Sequence, residues 1–325
     1  MCTAGQRAAR SAFLSVRLGV AVALLLGLVA TSSRADAGEQ GILGLLPENT
    51  ALVITLNLER SQKGAAGKRL ITALTRSDVM AKPLARLRSE AGLVLERDVK
   101  IITLAMASDF EQTQDMVVIA EGRFAQAKIV AVARAESKSF ATQKHRGTTY
   151  YVLDDETALA FLGSRAVLTP KNTMTKVIDV FRRKASPAAK NKSLVTLIDG
   201  GDTKKDLWAA FLIPANLRGE IAKETGGHSV DAVMASADTK SGMALRARLE
   251  VSTDEGAQAI AVVLREAIAE AGKSPEVASL GIAAALSNSK ITRTEKRLDV
   301  AFDLSAEELT KLIVGLESEL TGSKQ

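Results

Sequence analysis

The chain has little of what most enzymes use. Among its 325 residues are one cysteine, two histidines and eleven aromatic side chains. The cysteine is Cys2, ahead of an apolar run that reads as a removable leader. Without it the mature chain has no thiol nucleophile, no thiolate metal ligand and no disulfide. The histidines, His145 and His228, lie in different halves, and no His-Glu-x-x-His occurs. Zinc sites draw three or four ligands from His, Cys and carboxylates, so no metal and no cofactor is expected, and both histidines read as solvated loop residues. The aromatics are mostly spoken for: Phe181 lies on a helical apolar stripe, and Phe161, Phe211 and Phe302 lie in apolar strand runs. Only Tyr150, Tyr151 and Trp208 are left for stacking, and Trp208, at a strand start, is expected to be partly exposed. That is too few for a sugar or single-strand nucleic-acid platform.

Charge of one sign is also lacking. The 43 basic and 37 acidic residues leave a net charge of +6, half of it in the first 37 residues. A nearly balanced mature chain without a basic stripe excludes nucleic acid as the expected partner. The longest apolar run, Leu18–Ala30, has 13 residues, short of the roughly 20 needed to span a bilayer.

That run has a context. Arg7, Arg10 and Arg17 precede it, and Ala35-Asp36-Ala37 follows it as a small-x-small sequence. The three parts form a Sec-type signal peptide over residues 1–37, with cleavage specified by Ala35 and Ala37 and a mature start at Gly38. The arginines are not paired, and Cys2 lies before the apolar run, so neither a twin-arginine route nor a lipid anchor is expected.

Beyond the leader, the composition is globular, with 46% apolar and 25% charged residues. Leu45–Thr50 turns into a β-branched strand, Ala51–Leu58. Helical stretches follow, with Ser77-Asp78 as a cap, Pro83 as a restart and Gly92 as a stop. Strands are expected at Val99–Ala105 and Met116–Ala120, joined by a polar loop over 108–115, and a helix at Phe124–Ala135. A hairpin, Thr148–Leu153 with Ala158–Leu162, turns on Asp154-Asp155-Glu156. Thr169 reads as a cap and Pro170 as the first residue of a helix carrying Met174, Val177, Ile178 and Phe181 on one face. Residues 184–193 and Gly200-Gly201 mark a boundary, giving halves of 38–190 and 191–325. The second half restarts with Leu207–Ile213, a helix from Pro214, strands at Val230–Ala235 and Met243–Val251, a helix through Ala271, one over Pro275–Leu286 and a strand region, Ile291–Leu304. Ser252–Glu255 and Ser305–Glu308 read as capping boxes, with Leu304 and Leu309 placed as a hydrophobic staple.

The halves echo each other: Met106-Ala107-Ser108-Asp109 and then Met116 in one, Met234-Ala235-Ser236-Ala237-Asp238 and then Met243 in the other. Both read as strand, helices, strand, strand, helix, strand, helix. The expected fold is α+β, two similar βαββαβ-like halves whose antiparallel sheets are covered by helices, either separate or joined into one sheet.

Catalytic motifs fail one by one. Gly272-Lys273-Ser274 and Gly64-Ala65-Ala66-Gly67-Lys68 lack the leading glycine of a phosphate-binding loop. Ser287-Asn288-Ser289-Lys290 fits Ser-x-x-Lys without its partner motifs. Asp154-Asp155-Glu156 lacks the spacing of a calcium loop. No catalytic residue is therefore assigned.

The leader, Leu45-Leu46-Pro47-Glu48-Asn49-Thr50 with its strand, and Asp206-Leu207-Trp208-Ala209-Ala210 resemble a group of uncharacterised exported bacterial α+β proteins. The resemblance spans the mature chain in outline and implies export and fold, with no site residues to carry over. The expectation is a periplasmic or secreted envelope protein that binds a protein, a lipid or a small ligand without catalysis, touching the membrane only transiently through its signal peptide. A carboxylate-dependent envelope hydrolase and a signal-anchored scaffold are the alternatives.

Overall fold

The computed structural model describes residues 41–76, 78–108, 116–154 and 156–322. The leader with Ala35, Ala37 and Gly38, the cap residue Ser77, most of the loop expected over 108–115, and Asp155 lie outside the described residues.

Twelve strands form one continuous sheet in the order β11-β12-β10-β9-β8-β1-β2-β3-β7-β6-β5-β4, and neighbouring strands pair antiparallel. The first half supplies β1 (Thr50–Asn57), β2 (Val99–Ala107), β3 (Met116–Gly122), β4 (Phe140–His145), β5 (Thr148–Leu153), β6 (Thr157–Leu162) and β7 (Arg165–Pro170). The second supplies β8 (Leu207–Leu212), β9 (Val230–Asp238), β10 (Gly242–Val251), β11 (Lys290–Thr294) and β12 (Arg297–Ser305). The fold is α+β, and the halves meet where β1 pairs with β8, Ile54 opposite Ala209. Outward from that pair the orders run β1-β2-β3-β7-β6 and β8-β9-β10-β12-β11. The layouts match, with the β4–β5 hairpin an addition to the first half.

Helices fill the connections. Between β1 and β2 are α1 (Leu58–Ser61), α2 (Ala65–Arg76), α3 (Asp78–Ala91) and α4 (Leu95–Asp98); α5 (Gln126–Glu136) follows β3; α6 (Lys171–Phe181) follows β7. Then come α7 (Lys192–Asp199) before β8, α8 (Ala215–Glu224) before β9, and α9 (Asp254–Ala271), α10 (Pro275–Ser279) and α11 (Ala283–Ser287) before β11. The last is α12 (Ala306–Gly322).

Period-two alternation gives the sheet two faces. One, the α6 face, carries Val53, Ala105, Ile119, Ala160, Val167, Trp208, Ala210 and Met234 beneath α6 and α7, with short 3-10 turns at Ile42–Gly44 and Ala188–Lys190 filling in. This core mixes residues from both sides of residue 190. The opposite face, the α9 face, carries Leu52, Ile54, Ala209, Leu245, Phe302 and Leu304 under α2, α11 and α12. It continues under α8 and α9 at one end and under α3 and α5 at the other. Across β10 and β12 the α6 face is open and charged instead: Arg246 pairs with Asp303 at 2.7 Å, and Arg248 with Asp299 at 3.2 Å.

Local chemistry explains several boundaries. Ser305 N–H donates to Glu308 Oε2 at 2.8 Å while Glu308 N–H donates to Ser305 Oγ at 3.2 Å, a reciprocal capping box, and Leu304 and Leu309 are both buried beside it. The Thr253 hydroxyl caps α9 by accepting from Gly256 N–H, but a glycine at that position has no side chain to reach back, so only half of the expected box exists. Thr169 does not cap α6: it belongs to β7 and donates to the Met116 carbonyl, and Pro170 precedes the helix with no side-chain cap. Residues 275–286 form two short helices rather than one, and 291–304 belongs to a hairpin of two strands. Trp208 is fully buried, its alternation placing it under the α6-face core rather than at the surface.

Candidate binding surface

The residues singled out by motif resolve into structural roles. Gly64 and Gly67 seat α2 against the β9–β10 turn: a Cβ at Gly64 would lie 2.6 Å from the Thr239 carbonyl oxygen, and one at Gly67 2.5 Å from that of Ser61. Gly67 N–H donates to the Thr239 carbonyl. Close approach of the Thr239–Lys240 backbone across the two halves accounts for Gly64, and that of the Ser61 backbone, with the Thr239 hydroxyl, for Gly67. Gly272 ends α9, and Lys273 pairs with Glu270. Ser287 is exposed at the end of α11 and donates to the Ala283 carbonyl. Asp154 sits at φ 52° in the β5–β6 turn and accepts from Lys138 N–H. His228 lies between α8 and β9, and its carbonyl accepts from Thr225.

His145 differs from expectation. It ends β4, and its Nε2 lies 2.7 Å from Asp179 Oδ1 on α6. Arg146 reaches the same carboxylate. The two segments are 34 residues apart in sequence, which is why no local pattern revealed the pair. The Arg146 hydrogen bond, helped by His145 and opposed by burial, holds the Asp179 carboxyl below its ordinary value.

Other carboxylates tell the same story. Asp98 is pushed down to about 2 by its hydrogen bond from the Arg97 side chain and by Val94 N–H, against burial. Burial works to raise Asp238, but Lys240 N–H and the charges of Lys240 and Lys205 bring it below the usual range. Lys311 lowers Glu307. Every clear carboxylate shift among the described residues is thus toward the ionised form, the opposite of what a general acid needs. Among the described residues no group of three or more His, Cys, Asp and Glu could hold a metal ion. A cleft of about 270 Å³ lies between the β9–β10 turn and the end of β12, lined by Asp238, Lys240, Ser241, Asp303 and Ser305. Its charges are satisfied internally: Lys205 and Lys240 lie 3.6 and 3.5 Å from Asp238, and Arg246 holds Asp303.

One surface is not closed off in this way. On the α9 face, between the helices over each end, Leu168 of β7, Val118 of β3 and Leu104 of β2 lie side by side in register. Met116 and Met106 form the next row. Leu168 is 41% and Met116 38% exposed, and Val118, Leu104 and Met106 are half-buried. Three strands at about 4.8 Å spacing make an apolar strip about 10 Å wide. Leu104 and Met106 also pack sideways against the core under α2, α11 and α12, so the strip is most open at Leu168 and Met116.

No family model and no curated protein matches this chain. Among solved structures, crystal form III of TP0453 superposes with a TM-score of 0.50 at 13% identity, covering 85% of this chain and 97% of that one. Crystal form I gives 0.48 at 12% identity, with 85% and 96% covered. At this identity the likeness to crystal form III is one of fold: the chain is similar to TP0453 in its α+β architecture over nearly the whole of that protein.

Proposed function

We propose that this chain is an exported, non-enzymatic binding protein of the bacterial cell envelope, and that it takes an apolar partner on the strip formed by Leu104, Met106, Met116, Val118 and Leu168. The observation that carries the reading is the strip itself. Scattered exposed apolar residues are ordinary, but contiguous ones on a sheet face otherwise covered by helices mark a contact surface. Each apolar side chain moved from water to a partner contributes about 1.5–3 kcal/mol at full burial, so five partly exposed ones support a specific contact.

The test is native mass spectrometry of the full chain recovered from the envelope fraction with a C-terminal tag. The expected species begins at Gly38 and carries an added mass or a bound protein. Met116→Glu with Leu168→Glu should strip that partner away while leaving the thermal melt unchanged. A double variant that keeps the same partner as the unaltered protein would sink the reading of the strip. A start at Met1, recovered from membranes, would sink the reading of export.

A further inference from the structure

The chain is nearly neutral in bulk, yet the fold concentrates cations at one end of the first half. The β4–β5 hairpin turn brings Lys144, His145 and Arg146 to that end. The C-terminus of α6 brings Arg182, Arg183 and Lys184 to the same place, because Asp179 on its last turn contacts both His145 and Arg146. Arg182 Nε also donates to Thr148 Oγ1 at 2.8 Å, tying the helix end to the start of β5. Lys144, Arg146, Arg182, Arg183 and Lys184 are all exposed. Among the described residues Asp179 is the one carboxylate paired with this group, and Lys144, Arg183 and Lys184 form no ion pair. The arginines of the strands are the contrast: Arg165, Arg246, Arg248, Arg293 and Arg297 are each matched to a carboxylate.

Two tight turns of backbone carry these cations. Arg146 and Gly147 occupy φ values of 46° and 75°, the positive pair of a tight hairpin turn. Arg183, at φ 56°, closes α6 with Arg183 N–H on the Val180 carbonyl and Lys184 N–H on the Asp179 carbonyl. Guanidinium groups pair with carboxylates in two-pronged fashion, which suits Arg146, Arg182 and Arg183 to a carboxylate-bearing partner.

We propose that this basic pole docks an acidic segment of a partner protein. The surroundings select that class of partner. A peripheral membrane contact joins charge to an inserted apolar group, but the exposed large apolar residues lie elsewhere: Met116 and Leu168 on the α9 face, and Met80, Val262, Val263 and Val314 on α3, α9 and α12. Single-stranded nucleic acid requires stacking faces, yet Tyr150 is buried and Phe181 is covered by the Arg182 guanidinium at 5.4 Å. This pole lies apart from the apolar strip, so it stands whether or not the strip binds anything.

The experiment measures binding of a fluorescent octaglutamate peptide by anisotropy, beside vesicles of phosphatidylglycerol and of phosphatidylcholine. Three proteins are compared: the unaltered chain, Lys144→Glu/Arg183→Glu/Lys184→Glu, and a control with the same net charge, Lys223→Glu/Arg265→Glu/Lys296→Glu, at exposed sites elsewhere. The expected result is peptide binding by the unaltered chain and the control, weakened at least about tenfold by reversal at the pole and by raising salt from about 50 to about 300 mM. Unchanged thermal melts establish that each variant is folded. Equal loss in both triple variants would show a response to net charge alone and overturn the proposal. Binding to phosphatidylglycerol vesicles that depends on the pole, without peptide binding, would overturn it in favour of a membrane contact.

Discussion

At one end of the α6 face, β3, β7, β6 and β5 present Ile119, Val167, Ala160 and Val152 to α6, and all four are buried. At the other end, the equivalent β10 and β12 present Arg246, Arg248, Asp299 and Asp303 to water. The strand layouts match; the destination of the last helix does not. After β7, α6 seats Met174, Val177 and Ile178 on the α6 face. After β12, α12 turns to the opposite face and seats Leu309, Leu312 and Ile313 against Leu245 and Leu304. A duplicated layout therefore fixes which strands pair, while each half's own apolar pattern decides which face is dry. An antiparallel sheet tolerates this because each of its faces can be solvated independently.

Substitutions at three positions sharpen or break the comparison. The largest effect is expected at Trp208, a second-half residue buried in the core beneath α6 and α7. Trp208→Ala should cost about 3–5 kcal/mol in urea denaturation. Its Nε1 has no hydrogen-bond partner among the described residues, so Trp208→Phe removes no such bond and should cost much less. A small loss for alanine would mean that the dry end does not depend on the second half.

Next comes the tie that pins α6. Asp179→Asn should destabilise by about 1–2 kcal/mol at neutral pH. Because Arg146 and His145 lower the Asp179 pKa in the folded chain, the stabilisation is fully present above the unfolded value of about 3.9. It is lost as pH falls below that, so the two melting curves should converge in acid. A gap that persists at low pH would assign the effect to shape rather than charge.

The smallest effect belongs to the open end. Arg246→Ala breaks an exposed pair with Asp303 and should cost no more than about 1 kcal/mol, less at high salt. A loss as large as that at Trp208 would mean the ladder is covered in solution.

Much of this was legible in the sequence, for physical reasons that particular residues display. Ser305 and Glu308 form their box because both partners lie within four residues, and the stripe on α6 was readable from its own spacing. The α+β class and the repeated order followed from such local signals. Edge strand β4 was not legible, because Phe140–His145 mixes Thr, Gln, Lys and His without apolar alternation. β7 was hidden between Arg165 and Pro170. Trp208 was misplaced because its burial depends on helices brought over it from both sides of the boundary. Nor could the pairing of His145 with Asp179, the basic pole or the apolar strip be read, since each exists only once strands distant in sequence lie side by side.

The junction of β1 with β8 has a consequence in time. Ile54 meets Ala209 across about 155 positions of chain, and β1 lies at the centre of the sheet. Chains dominated by such distant pairings fold slowly. While the first half waits, β1 has a bare flank of backbone donors and acceptors, the kind of edge to which foreign strands add. Synthesis that stops before Leu207 would leave that flank without β8, its partner in the finished sheet.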